Sequence, residues 1–288
     1  MNARYIPHMV PIPGSSSMQR LPRYVEVPPG PELAPWVACY WAIQADDAPP
    51  VPNRVLPDGC ADFIIGIGND PTPMVVGTMQ SAVVIPTAGR VDLFGIRFRP
   101  GSALPLVGTP LGELTDQRVP LEALWGRDAE QIGDLAVAAS PAERAARAER
   151  LLRRRLAGWA RSPGGDEAFV AQAVSLLRRA RGGVGIGQVA AALGVGQRRL
   201  ERAFARSVGL SPKALGRVLR FRRALRELAL GRDGEGRRSW AALAFATGYA
   251  DQSHFIREFK KLAGLTPARY VAERSRVGFV QYPDGKPG

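Results

Sequence analysis

The segment Asp251–Pro267, DQSHFIREFKKLAGLTP, restates a pattern that the chain has already used at Gln197–Pro212. Leu200 aligns with Phe255, Arg202 with Arg257, Phe204 with Phe259, Gly209 with Gly264, Leu210 with Leu265 and Pro212 with Pro267, every pair 55 positions apart. Upstream, Ala190 aligns with Ala244, Ala192 with Ala246 and Gly194 with Gly248 at an offset of 54, so one residue has entered the turn. One spacing kept across apolar, charged, glycine and proline positions, then slipping by one at a glycine turn, marks a duplicated supersecondary unit.

Each copy reads as helix, turn, helix. In the later copy Ser239 is an N-cap for a helix over 240–247, Gly248 supplies the positive φ that ends it, and Asp251 caps the next helix. Phe255, Phe259 and Leu262 recur at spacings of four and three, which predicts one buried stripe. The opposite face carries Gln252, Ser253, Arg257 and Lys261. A polar-faced helix after a glycine turn is the arrangement that enters a DNA major groove.

GYADQSHFIREFKKLAGLTPARY, preceded by LGVGQRRLERAFARSVGLSP, resembles the DNA-binding domain of the AraC/XylS family of transcription regulators. The resemblance spans residues 184–270, about a third of the chain. It implies an all-α domain with two helix-turn-helix units joined by a central helix, no catalysis, and both second helices entering double-stranded DNA. The reading positions it implies are Arg198 and Arg202 in the first copy and Gln252, Ser253 and Arg257 in the second.

Base reading needs side chains near the start of the second helix, on its unpacked face. That criterion selects Gln252, Ser253 and Arg257, and in the first copy Arg198, Arg199, Glu201 and Arg202. Gln pairs with adenine N6 and N7, Arg with guanine O6 and N7. Glu201 either accepts from cytosine N4 or holds Arg198 or Arg202 through a helix-surface pair. Lys213, Arg220, Arg223, Lys260 and Lys261 are expected phosphate contacts, with a solvated surface role as the alternative for each, and His254 a phosphate-proximal or packing histidine. If both helices share one DNA face, they reach successive major grooves about 34 Å apart.

Charge supports a polyanionic partner. Residues 166–288 hold 23 Lys and Arg against 10 Asp and Glu, whereas residues 1–165 hold 16 against 16. The whole net charge of +13 therefore lies in the second part, where it favours DNA and its phosphates.

The expected organisation is an irregular arm at 1–34, a sensor or dimerisation domain at 35–161, a linker at 162–165 (SPGG), a double helix-turn-helix domain at 166–275 and a tail at 276–288. The runs WVACYWAI, CADFIIGIG, PMVVGTM, AVVIPTA and VDLFGIRFRP predict five strands of a small antiparallel sheet or barrel, followed by helices, hence an α+β first domain. Ser140, Pro141 and Glu143 predict a capped helix running toward Leu156. A further helix runs from Asp166 to Arg181, stopped by Gly182 and Gly183, and Ser211 and Pro212 open the central helix that braces the two units.

In the first domain Asp58, Cys60 and Asp62 alternate, as do Arg97 and Arg99. On facing strands they either line a polar ligand pocket, walled by Trp36, Tyr40 and Trp41, or form structural ion pairs. LPDGCADFIIGIG with GIRFRPG resembles the N-terminal part of a less characterised group within the same family, which implies a sensor role with an unknown small-molecule effector. RNA polymerase and a second copy of the chain complete the expected partners, with activation and repression both open.

An enzymatic or redox-sensing first domain is the alternative. Cys39 and Cys60 are the only cysteines, and no Cys-x-x-Cys, Gly-x-Ser-x-Gly or His-Glu-x-x-His pattern occurs, so no metal, cofactor or catalytic residue is expected. Neither a secretory apolar core nor a membrane-length apolar run is present, so no membrane association and a cytoplasmic place, at the nucleoid through DNA, are expected.

Overall fold

The apolar runs of the first half form one six-stranded sheet of order β1-β2-β5-β3-β4-β6, antiparallel at every pairing. The strands are β1 (Arg23–Val27), β2 (Val37–Val55), β3 (Asp62–Gly66), β4 (Met74–Val76), β5 (Val83–Phe98) and β6 (Arg118–Pro120). This computed structural model describes residues 22–67, 72–159, 166–229 and 239–274. Most of the expected arm, the 162–165 linker and the 276–288 tail lie outside the described residues.

Period-two patterning assigns the two faces. Tyr40, Ala42, Phe63, Ile65, Phe94, Ile96 and Phe98 face a core completed by Leu104, Leu106, Leu135, Ala145, Ala148 and Leu152. Each large apolar side chain buried there contributes about 1.5 to 3 kcal/mol. The other face carries a smaller cluster around Trp41 and Ile43. Gly95 makes room for it: a Cβ there would stand 2.0 Å from the Trp41 indole.

Two expectations about strands are corrected. AVVIPTA and VDLFGIRF are not two strands but the single β5, because β2 offers a continuous partner from Val55↔Val83 to Val37↔Phe98. Register shifts around Ala48, opposite Gly89 at φ +68°, absorb the irregularity between them. Within the expected arm, Arg23–Val27 is an edge strand paired with Tyr40–Gln44 of β2.

After β5 come three one-turn helices, α1 (Leu104–Val107), then beyond β6 α2 (Glu122–Trp125) and α3 (Glu130–Gly133), with 3-10 turns at Leu111–Leu114, Gly126–Ala129 and Asp134–Val137. Then α4 (Pro141–Trp159) starts on the expected cap, where the Glu143 N–H donates to Ser140 Oγ at 3.2 Å. The Glu143 carboxylate reaches back to the Ala139 N–H at 3.1 Å. The hydrogen bond from Arg147, and then that from Ala139, hold its pKa below the usual carboxylate range.

The second half is all helix: α5 (Glu167–Arg179), α6 (Ile186–Ala192), α7 (Gln197–Ser207), α8 (Pro212–Ala229), α9 (Trp240–Ala246), α10 (Gln252–Ala263) and α11 (Pro267–Arg274). A cluster of aromatic rings sits within its aliphatic core. Phe259 lies 5.1 Å from Phe221, 5.6 Å from Phe255 and 5.5 Å from Tyr270, centroid to centroid and edge-on. Phe221, at the middle of α8, packs the central helix against α10. The two halves also pack on each other: Leu56, just past β2, is buried within the helical core, and Gly101 lies against Val170, Val174 and Val208. No helix among the described residues is long and apolar enough to cross a membrane.

Candidate nucleic-acid interface

The two units are built alike. In the later one, the Ala242 N–H donates to Ser239 Oγ at 3.2 Å, so Ser239 starts α9. Gly248 at φ +87° turns the chain, and the His254 N–H donates to Asp251 Oδ1 at 2.7 Å to start α10. In the earlier one Gly194, at φ +64°, makes the corresponding turn between α6 and α7. Leu200, Ala203 and Phe204 then bury one face of α7, and Phe255, Phe259 and Leu262 the equivalent face of α10.

Packing these stripes inward leaves the opposite faces in solvent. Gln252, Ser253 and Arg257 are exposed on α10, and Arg198, Glu201 and Arg202 on α7. Lys213, Lys260 and Lys261 are exposed as well. Such side chains can reach base edges and phosphates without the fold opening. Arg206, one turn beyond Arg202 and also exposed, extends the basic face of α7. Its spacing of four from Arg202 was the available signal.

Four expected residues have partners or packing within the protein itself. Arg199 is engaged: its guanidinium sits 2.8 Å from Asp166 Oδ1 and 5.1 Å above the Phe169 ring, bracing α7 against the start of α5. Arg220 donates to the Gly182 carbonyl and lies 5.8 Å from the Tyr249 ring centre, so it ties α8 to the turn before α6 and to the turn before α10. His254 is half-buried with its ring edge-on to Tyr249 at 5.5 Å, which is the packing alternative. Arg223 is half-buried, and partial desolvation together with Arg181 lowers its pKa. Arg217, which the sequence did not single out, lies 3.4 Å from Glu258 and links α8 to α10.

The expected pocket residues of the first domain divide between the faces of the sheet. Trp41 Nε1 donates to Asp62 Oδ1 at 2.9 Å, Arg97 Nε lies 3.1 Å from the same oxygen, and Arg97 Nη1 lies 3.4 Å from Asp58. Tyr40 belongs to the opposite core, Trp36 packs against that core, and Arg99 donates to the Ala34 carbonyl at 2.6 Å. Asp58 and Cys60 precede β3 in a turn, where the Cys60 N–H donates to Asp58 Oδ1 at 2.9 Å, so they do not alternate along a strand. The cluster is an internal ion-pair network. Burial raises the Asp62 pKa against the opposing pull of Arg97, and burial also pushes the Cys60 thiol up. Among the described residues no group of three His, Cys, Asp or Glu could hold a metal ion.

Residues 189–273 match the family described as helix-turn-helix domain, and residues 25–120 match a domain of unknown function, DUF6597. No curated protein matches the chain. Among solved structures, the C-terminal domain of AraT, a response regulator from Geobacillus stearothermophilus, is 23% identical over 43% of this chain and 95% of its own, at a TM-score of 0.32. ToxT from Vibrio cholerae is 12% identical over 76% of this chain and 88% of its own, at a TM-score of 0.38. The same protein bound to an unsaturated fatty acid is 12% identical with the same coverage, at 0.39. Superpositions this loose carry no argument about function.

Proposed function

We propose that the chain is a transcription regulator of the AraC type, whose helix-turn-helix domain at residues 189–273 reads a bipartite double-stranded DNA site with α7 and α10. The observation that carries this reading is the pair of equivalent helices, each with its apolar stripe buried and its polar face in solvent. Gln252, Ser253 and Arg257 on α10 are the principal base-reading groups; Arg198, Glu201 and Arg202 stand at the equivalent positions of α7, where the arginines anchor on phosphate as much as they read. Lys213, Lys260 and Lys261 are phosphate contacts that set register and affinity.

Control passes through the first domain in this reading, by a small molecule or by a second copy of the chain. Direct packing of Leu56 and Gly101 against the helical core supports such a route. The redox alternative has less to support it, because Cys39 and Cys60 both have thiol pKa values raised by burial and so form little thiolate.

Binding selection from random duplexes with the purified chain, followed by footprinting, tests the reading. The expected site spans about two helical turns, and its affinity falls with a slope of about 0.9 in log K against log salt per phosphate neutralised. A footprint confined to half a turn contradicts the two-helix reading.

A further inference from the structure

The turns that end α7 and α10, at Gly209 and Gly264, are equivalent positions of the duplication, and the first domain grips both. At the earlier turn the Thr115 hydroxyl donates to the Gly209 carbonyl. The 3-10 turn Leu111–Leu114 comes so near that a Cβ on Gly112 would stand 2.8 Å from the Ala205 carbonyl oxygen. A Cβ on Gly209 would meet Thr78 Oγ1 at 2.4 Å. At the later turn the Ala82 N–H donates to the Leu262 carbonyl at 2.8 Å. Arg54 Nη1 donates to the Ala263 carbonyl at 3.1 Å, and its Nη2 lies 3.8 Å from Glu273 on α11. The last carbonyls of a helix lack partners within it and carry the negative end of its dipole, so a guanidinium suits that place.

The two grips are joined by a short bonded bar. Asp116 N donates to the Thr78 carbonyl at 3.0 Å, and Gly77 N to the Gln117 carbonyl at 3.1 Å. The Asp116 carboxylate accepts from Gln80 N at 2.7 Å and from Gln80 Nε2 at 3.0 Å. Beyond Ala82 the chain enters β5, where Val83 and Val84 pair with Val55 and Arg54. Only the step from Thr78 to Ala82 separates the grips, and four residues of extended chain reach at most about 14 Å.

We propose that this bar is a caliper: Arg54 and Thr115 are positioning residues that fix α7 relative to α10 and thereby decide which half-site spacing on DNA the protein accepts. The inference rests on the DNA-reading function proposed above. Both grips hold helix C-termini, so the exposed faces near the helix N-termini stay open to DNA. Neither gripping side chain belongs to the Phe204, Phe255 and Phe259 core, so its removal leaves that core intact.

The test uses the full chain and duplexes carrying the selected bipartite site with its spacer lengthened or shortened by single base pairs. Wild type prefers one spacer over its neighbours by about tenfold or more, the size of an ordinary coupling between linked sites. Arg54→Ala and Thr115→Val each lower that preference to about threefold or less, with affinity for the best spacer changed by less than about threefold. Arg54→Lys, which keeps a charged donor for the Ala263 carbonyl, restores most of the preference. Unchanged spacer preference in both variants, or equal loss at every spacer, overturns the caliper. Thr115→Val removes one hydroxyl at nearly constant volume and carries the test alone if Arg54→Ala does not fold. Absence of specific duplex binding by wild type overturns the regulator reading and the caliper with it, a result distinct from a variant that binds well and ignores spacing.

Discussion

The helices α7 and α10 descend from one pattern but begin differently. Asp251 accepts the His254 N–H at 2.7 Å, which fixes the first turn of α10 where Gln252 and Ser253 project. Gly196 stands at the corresponding place before α7, with extended backbone and no side chain to cap the helix. The faces differ to match: α10 presents one glutamine, one serine and one arginine for reading, whereas α7 presents long arginines and a glutamate, with Arg199 drawn off to Asp166. Amide and hydroxyl groups on a capped first turn suit geometric base recognition, and long cations on an uncapped one suit phosphate. Duplication thus conserved the packed stripe and let the two readers diverge.

What the helices share is the most damaging thing to remove. Phe204→Ala and Phe259→Ala each truncate a fully buried ring and are expected to cost about 3 to 5 kcal/mol in urea-induced unfolding. A large loss for one and a small loss for the other would show that the two units do not depend equally on the common core.

The reading faces separate the helices next. Arg257→Ala is expected to cost about 1 to 3 kcal/mol at a single base position and to relax preference there, measured by competition with point-mutated duplexes. Arg202→Ala is expected to weaken all sequences more evenly and to reduce the salt slope. Equal behaviour of the two variants would erase the division between reader and anchor.

The caps give the smallest effect. Asp251→Ala is expected to lower stability by about 1 kcal/mol. Gly196→Ser, at a non-positive φ with open space around the new Cβ, is expected to raise it by a few tenths of a kcal/mol by supplying the missing cap. Thermal unfolding of both variants checks the pair. No gain from the serine would mean that something other than the missing cap limits the first turn of α7.

Much of the second domain was legible because its signals are local. Ser239, Asp251, Ser211 and the glycines at 194, 209, 248 and 264 set caps and left-handed turns within a few residues of themselves. Helical spacing alone separates Phe255 and Phe259 from Gln252 and Arg257. The first domain was legible only as strands, because β-pairing is made between distant segments. Nothing near Pro86 announces that two apolar runs are one strand, since that depends on the length of β2.

The sequence by itself therefore determined the duplicated unit, its buried stripe, its polar face and the basic charge of the second half, all consequences of residue type and period. Only the tertiary structure decided which charged groups stay available. Arg199 goes to Asp166, Arg220 to Gly182, Arg97 to Asp58 and Asp62, and Arg54 to the end of α10. Each of those partners lies more than 30 residues away along the chain. A long side chain pairs with whatever the fold brings within its reach, and no pattern of spacing along the chain encodes that.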